Sequence, residues 1–126
     1  MSQNAYGATA AADLTNSGAI NVAVDATATG YNAFASASAQ YGASQYASGT
    51  DASVELTNSG TINVDANANA SGSFADARAS ATGVIQSTFG DTVLATFDNT
   101  STGTFTVDAN ATATGANSIA DAAAAG

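Results

Sequence analysis

Along most of the chain, small apolar and polar residues alternate with period two. Val22, Val24, Ala26 and Ala28 alternate with Ala23, Asp25, Thr27 and Thr29, and Val64, Ala66, Ala68 and Ala70 with Asp65, Asn67, Asn69 and Ser71. Val107, Ala109, Ala111 and Ala113 do the same against Asp108, Asn110, Thr112 and Thr114. A second alternation follows in Phe34-Ala-Ser-Ala-Ser-Ala39 and in Phe74-Ala-Asp-Ala-Arg-Ala79. Period two sends one set to one face of a strand and the other set to the opposite face. Alanine favours helix, but no i, i+3, i+4, i+7 apolar stripe exists, and Thr, Asn, Ser and Gly interrupt every stretch. The pattern therefore predicts strands throughout, with Ala122–Ala125 the segment nearest to a helical reading.

The strands fall into repeats. Leu14-Thr-Asn-Ser-Gly-Ala-Ile-Asn-Val22 returns as Leu56-Thr-Asn-Ser-Gly-Thr-Ile-Asn-Val64, and more loosely as Phe97 to Val107. Gln3, Gln45 and Gln86 recur in the same phase, each four residues before Gly7, Gly49 and Gly90. Three blocks of about 42 residues result, approximately 1–42, 43–83 and 84–126. A period of this size is the mark of a stacked repeat architecture. Aligned inward residues would form ladders: Leu14, Leu56 and Phe97; Ile20, Ile62 and Phe105; Val22, Val64 and Val107. Asn16-Gly18, Asn58-Gly60 and Asn99-Gly103 read as turns, with glycine supplying positive φ. Gly18, Gly42, Gly60, Gly83, Gly103 and Gly126 recur at intervals near 21 residues. This finer period predicts two rungs per block. The expected fold is an all-β single domain, a parallel β-helix or β-solenoid of about six rungs.

Composition first points elsewhere. Val, Ile, Leu and Phe total 19 of 126 residues and the net charge is −9, a balance typical of disordered chains. The 33 alanines change that picture, because a narrow interior between two close sheets needs small side chains at its inward positions. Lys, His, Cys, Pro and Trp are absent and Arg78 is the one basic side chain. There is no imidazole base, thiolate nucleophile or usual zinc, haem or iron–sulfur ligand set, and no residue rises above its repeats as a catalytic group, so an enzyme is not expected. Phosphate-rich partners would meet net repulsion, which argues against nucleic acid and anionic membranes. No apolar run is long enough to span a bilayer.

The outward residues carry the remaining chemistry. Asp65 and Asp108 are read as equivalent, and so are Asp76 and Asp121. With two rungs per block, equivalent acids would lie about 9.6 Å apart and repel by about 0.4 kcal/mol in water. In a single wide coil that spacing would halve, the repulsion would double, and a bound Ca²⁺ would become attractive. The calcium-binding nonapeptide of β-rolls is missing, so the expectation is no cofactor, with Ca²⁺ at these four aspartates the lesser reading. Arg78 is expected to pair with Asp76 at the surface. Thr27 and Thr29, with Thr112 and Thr114, form outward pairs of a kind suited to ice, interrupted by Asn69 and Ser71. Tyr31, Tyr41 and Tyr46 would suit stacking on sugar rings or lateral contacts between fibres.

The Leu-x-Asn-x-Gly-x-Ile pattern of Leu14–Ile20 and Leu56–Ile62 resembles the repeats of filamentous haemagglutinins and autotransporter passenger domains. That resemblance implies a parallel β-helix at a bacterial cell surface, acting as stalk or adhesin. Gln40-Tyr-Gly-Ala-Ser-Gln-Tyr-Ala47 is similar, more weakly, to the Gln-x-Gly-x-x-Asn-x-Ala core of curlin repeats, with Gln45 in place of Asn. Met1 falls at the phase of Ala43 and Val84, and Gly126 at that of Gly42 and Gly83. No cap is evident at either end of the repeats, and an uncapped rung leaves N–H and C=O groups unpaired. The expected partner is therefore the chain itself, stacked head to tail into an extracellular fibre. A segment of a longer adhesin stalk, or an ice- or carbohydrate-binding solenoid, are the alternatives.

Overall fold

The alternating stretches form ten strands in the computed structural model, which describes residues 1–126, and there is no helix. They are β1 (Ser2–Tyr6), β2 (Thr9–Asn16), β3 (Ala19–Thr29), β4 (Asn32–Ser48), β5 (Asp51–Asn58), β6 (Thr61–Ser71), β7 (Phe74–Phe89), β8 (Thr92–Asn99), β9 (Thr104–Thr114) and β10 (Asn117–Ala125). Three sheets result, in the orders β1-β4-β7-β10, β2-β5-β8 and β3-β6-β9. Strands stack in parallel, Leu14 beside Leu56 and Leu56 beside Phe97. The fold is a parallel β-solenoid. Even Ala122–Ala125 is strand, paired with Ala79–Thr82, because a neighbouring backbone outweighs the modest helical preference of alanine.

The number of rungs differs from the expectation. Neighbours in the sheets are 42 residues apart between the first two blocks and 41 between Asn58 and Asn99. Each block is thus one wide coil of three strands, and there are three coils instead of six. The 21-residue glycine spacing misleads because its members are of two kinds. Gly18, Gly60 and Gly103 lie in connections between strands, whereas Gly42 and Gly83 lie inside β4 and β7. Beside Gly42, Tyr41 takes a left-handed conformation with φ of 57°, a local kink in an otherwise continuous strand.

The chain divides into two compact units, and neither is a single repeat. One comprises 1–21, 41–63 and 84–105, the other 22–40, 64–83 and 106–126, so every coil contributes to both. The core of the second is nearly all alanine: Ala35, Ala37 and Ala39 of β4 and Ala77, Ala79 and Ala81 of β7 are buried with Val64, Ala66, Ala68 and Ala70 of β6. Val22 and Val107 pack against this cluster. The first unit holds the larger side chains. Leu56 and Ile62 are fully buried there, packed with Leu14, Ile20 and Phe105. In the third coil Phe97 and Phe105 replace Leu and Ile together and meet edge to face, with ring centroids 5.2 Å apart, a favourable aromatic geometry.

Glycine serves the turns differently from the expectation. Gly18, Gly60 and Gly103 do not have positive φ; among glycines only Gly7 and Gly30 do. What Gly60 requires is space, since a Cβ there would overlap the carbonyl oxygen of Gly18 in the coil before it. Gly49 stands likewise on Gly7, Gly72 on Gly30, Gly90 on Gly49 and Gly115 on Gly72. Successive turns are packed backbone on backbone.

Candidate functional site

Within the first unit, two rows of amide side chains run from coil to coil, with Asn16, Asn58 and Gln45 buried. Asn16, Asn58 and Asn99 end β2, β5 and β8, where the sequence places turns. Asn16 Nδ2 donates to Asn58 Oδ1 at 2.8 Å, and Asn58 Nδ2 to Asn99 Oδ1 at 2.7 Å. The same two Nδ2 groups donate to the carbonyls of Thr61 and Thr104. The other row is Gln3, Gln45 and Gln86, and its polarity is reversed. Gln45 Nε2 donates back to Gln3 Oε1 at 3.1 Å, and Gln86 Nε2 back to Gln45 Oε1 at 2.9 Å. Gln45 Nε2 also reaches the carbonyls of Ala12 and Glu55, at 2.8 Å each. Buried amides are tolerable only with such partners. The recurrence of these residues at 42 and 41 positions was the available signal for the rows; their direction was not in the sequence.

At the third coil the stacking stops. Every residue of β8 and of β10 is exposed. In β8 the residues in line with buried Ala52, Val54 and Leu56 are Val93, Ala95 and Phe97. In β10, Ala120, Ala122 and Ala124 lie beside buried Ala77, Ala79 and Ala81. These are inward positions by pattern that have no further coil over them.

The aspartates divide. Asn110 Nδ2 donates to Asn67 Oδ1, 43 residues away, and the same offset sets Asp65 beside Asp108. Asp121, by contrast, lies beside Arg78, and Asp76 beside Ile119. Asp76 and Asp121 are therefore not equivalent. The misalignment is by two residues, which preserves the face and so leaves the alternation unchanged. No group of three or more acidic side chains comes together in a way that could hold a metal ion. Asp65 has one satisfied oxygen, Oδ2, which accepts from Asn67 Nδ2 at 3.2 Å; its buried Oδ1 has no partner. With coils about 4.8 Å apart, its repulsion with Asp108 is about 0.9 kcal/mol in water. Asp65→Asn should relieve this and provide a donor to the row, as Asn67 does toward Asp25 Oδ1 at 2.9 Å. A rise in stability of about 1 kcal/mol is expected in urea unfolding; a lower midpoint would contradict this placement.

Arg78 chelates Asp76, Nε to Oδ1 at 3.1 Å and Nη2 to Oδ2 at 2.9 Å. The hydrogen bond and then the charge of Asp76 raise the guanidinium pKa above its ordinary value, with a smaller contribution from Asp121. The pair is exposed and contributes little to stability. Its guanidinium also stands 5.9 Å from the ring centre of Phe34. Phe34, Phe74 and Ile119 line an open groove of about 580 Å³ on the outer side of the second unit.

Tyr31, Tyr41 and Tyr46 do not form one platform. Tyr46 lies between Tyr6 and Phe89, with ring centroids 5.5 and 5.8 Å away, whereas Tyr31 meets Phe74 at 5.4 Å. Thr27, Thr29, Thr112 and Thr114 are exposed on β3 and β9, and Asn69 and Ser71 on β6 between those strands are exposed too. The longer Asn69 interrupts the row as the sequence implies. No family model matches the chain, and no curated protein and no solved structure does so either.

Proposed function

We propose that this chain is a structural subunit that assembles end on with copies of itself into an extracellular filament of a cell surface or biofilm matrix. The observation that carries this reading is the state of the third coil. Its inward residues are exposed where their counterparts one coil earlier are buried, as Phe97 is 37% exposed and Leu56 is 0%. A parallel strand laid on β8 and β10 would cover those side chains and pair the free backbone groups at once. The contact is heterologous, one end meeting the other, so the assembly does not close. A net charge of −9 would hold neighbouring filaments apart and in solution. The bacterial setting rests on the resemblance to surface β-helix repeats.

Coils of a longer adhesin stalk could cover the same edges, and the open β8 edge is the observation that favours this second reading equally. Electron microscopy and fibre diffraction of the purified 126-residue chain separate the two. The expected result is unbranched filaments with a subunit repeat of about 14 Å, three strand spacings of about 4.8 Å. Dispersed monomers at high concentration would reject self-assembly and leave the stalk.

A further inference from the structure

We infer that the partner of the first coil is the third coil of a second copy, held in one register by the amide rows and by Gly18. This deepens the proposed self-assembly and rests on it. The two rows run in opposite directions, and so the two ends of a copy are complementary. On the first coil, Asn16 Oδ1 accepts only from the N–H of Gly18, at 3.2 Å, and a carbonyl-type oxygen has room for a second donor. On the third coil, Asn99 Nδ2 donates only to the Gly103 carbonyl of its own turn, where Asn16 and Asn58 each make two bonds. In the other row, Gln3 Nε2 donates only to the Asp13 carbonyl, whereas Gln86 Nε2 uses both hydrogens, to Gln45 Oε1 and the Thr96 carbonyl. Gln86 Oε1 accepts from no side chain, although Gln3 Oε1 and Gln45 Oε1 both do.

Each end therefore offers one spare donor and one spare acceptor, placed to meet their opposites. Asn99 Nδ2 of one copy would donate to Asn16 Oδ1 of the next, and Gln3 Nε2 of that next copy back to Gln86 Oε1. A shift by one residue would set amides against residues of the opposite face. A reversed copy would lay its strands antiparallel to those of its neighbour, unlike the parallel pairs within the chain.

Gly18 supplies an independent argument. A Cβ on Gly60 would overlap Gly18, but a Cβ on Gly18 would meet nothing within 4 Å in its own chain. Neither positive φ nor crowding within the chain requires glycine at 18. A second copy in register places its Asn99–Gly103 turn where Gly18 lies beneath Gly60, and there only hydrogen fits.

The test compares Gly18→Ala with the wild type. The variant should keep the wild-type β-sheet circular dichroism and urea midpoint as a monomer, yet form no filaments. Its third coil stays open, so it should also shorten wild-type filaments by capping one end when added at a tenth of the subunits. Asn99→Asp reads the same contact from the other side. It keeps the oxygen that accepts from Asn58 and removes the donor meant for Asn16, and elongation should slow at least tenfold. Gly18→Ala filaments with wild-type length and growth rate would overturn the register while leaving end-on assembly in place. Should Gly18→Ala fail to fold, unchanged elongation of Asn99→Asp would overturn it instead. A wild type that stays monomeric would reject the assembly itself and this contact with it.

Discussion

A chain carrying Gly72→Ala is expected to lose its folded structure, at a cost of about 4 kcal/mol or more. The residue connects β6 to β7 and lies directly on Gly30, whose carbonyl oxygen occupies the place a methyl group would take. Two hydrogen bonds fix the approach: the N–H of Gly30 donates to Ser71 O and that of Gly72 to Thr114 O, both at 3.0 Å. The methyl could be accommodated only by spreading the coils, which would stretch these bonds and open the alanine core beside them. That core has little reserve, because each buried alanine contributes only about 1 kcal/mol of hydrophobic stabilisation. Urea unfolding followed by circular dichroism would measure the loss. A Gly72→Ala chain with the wild-type midpoint would show that the turns are not stacked this closely and that one block is not one coil.

Much of this arrangement was legible in the sequence, and the reason is repetition. The offset between Leu14 and Leu56 is the offset of the sheet register, so aligning the blocks amounted to reading the strand pairing. Inward and outward faces followed from period two. The coil count was not legible, because glycine is needed for two unrelated reasons here. At Gly60 the neighbouring backbone excludes a side chain, and at Gly42 the strand kinks beside Tyr41; single letters do not tell these apart. The pairing of Asp121 was misread for a different reason: equating it with Asp76 takes an offset of 45, two residues beyond the true one, and a slip of two keeps every residue on its face, so alternation does not reveal it. The third coil carries two extra residues in the turn between Asn99 and Gly103, closed by a Gly103 N–H bond to Thr100 O. Beyond that turn the offset becomes 43, which brings Asp121 to Arg78. The amide rows were visible as recurring letters but not as a direction, since hydrogen-bond polarity depends on which carbonyls flank each side chain. For the candidate interface that direction is the informative part.

The second large effect is expected at Asn58, and it depends on position along the row. Asn58 is fully buried. Its side chain accepts from Asn16 Nδ2 and donates to Asn99 Oδ1 and to the carbonyl of Thr104. Asn58→Ala removes these three bonds, leaves Asn16 Nδ2 with the carbonyl of Thr61 alone, and opens a cavity at a fully buried position. Three lost bonds at about 1 kcal/mol each, with the cavity added, give an expected loss of about 3–5 kcal/mol. In a dispersed chain, Asn99→Ala should cost only about 1 kcal/mol, because Asn99 is exposed at the end of the row and Asn58 Nδ2 would keep Thr104 O. The Gly18→Ala background provides that dispersed chain. In filaments, Asn99 becomes an interior member of a continuous row, and the cost of its removal should rise toward that of Asn58. Comparing urea midpoints of Asn58→Ala and Asn99→Ala in both states tests whether the row continues from copy to copy. Equal small losses at both positions would mean that the amides fill space without supporting the stack; a large loss at Asn58 alone, unchanged by assembly, would mean that the row ends where the chain does.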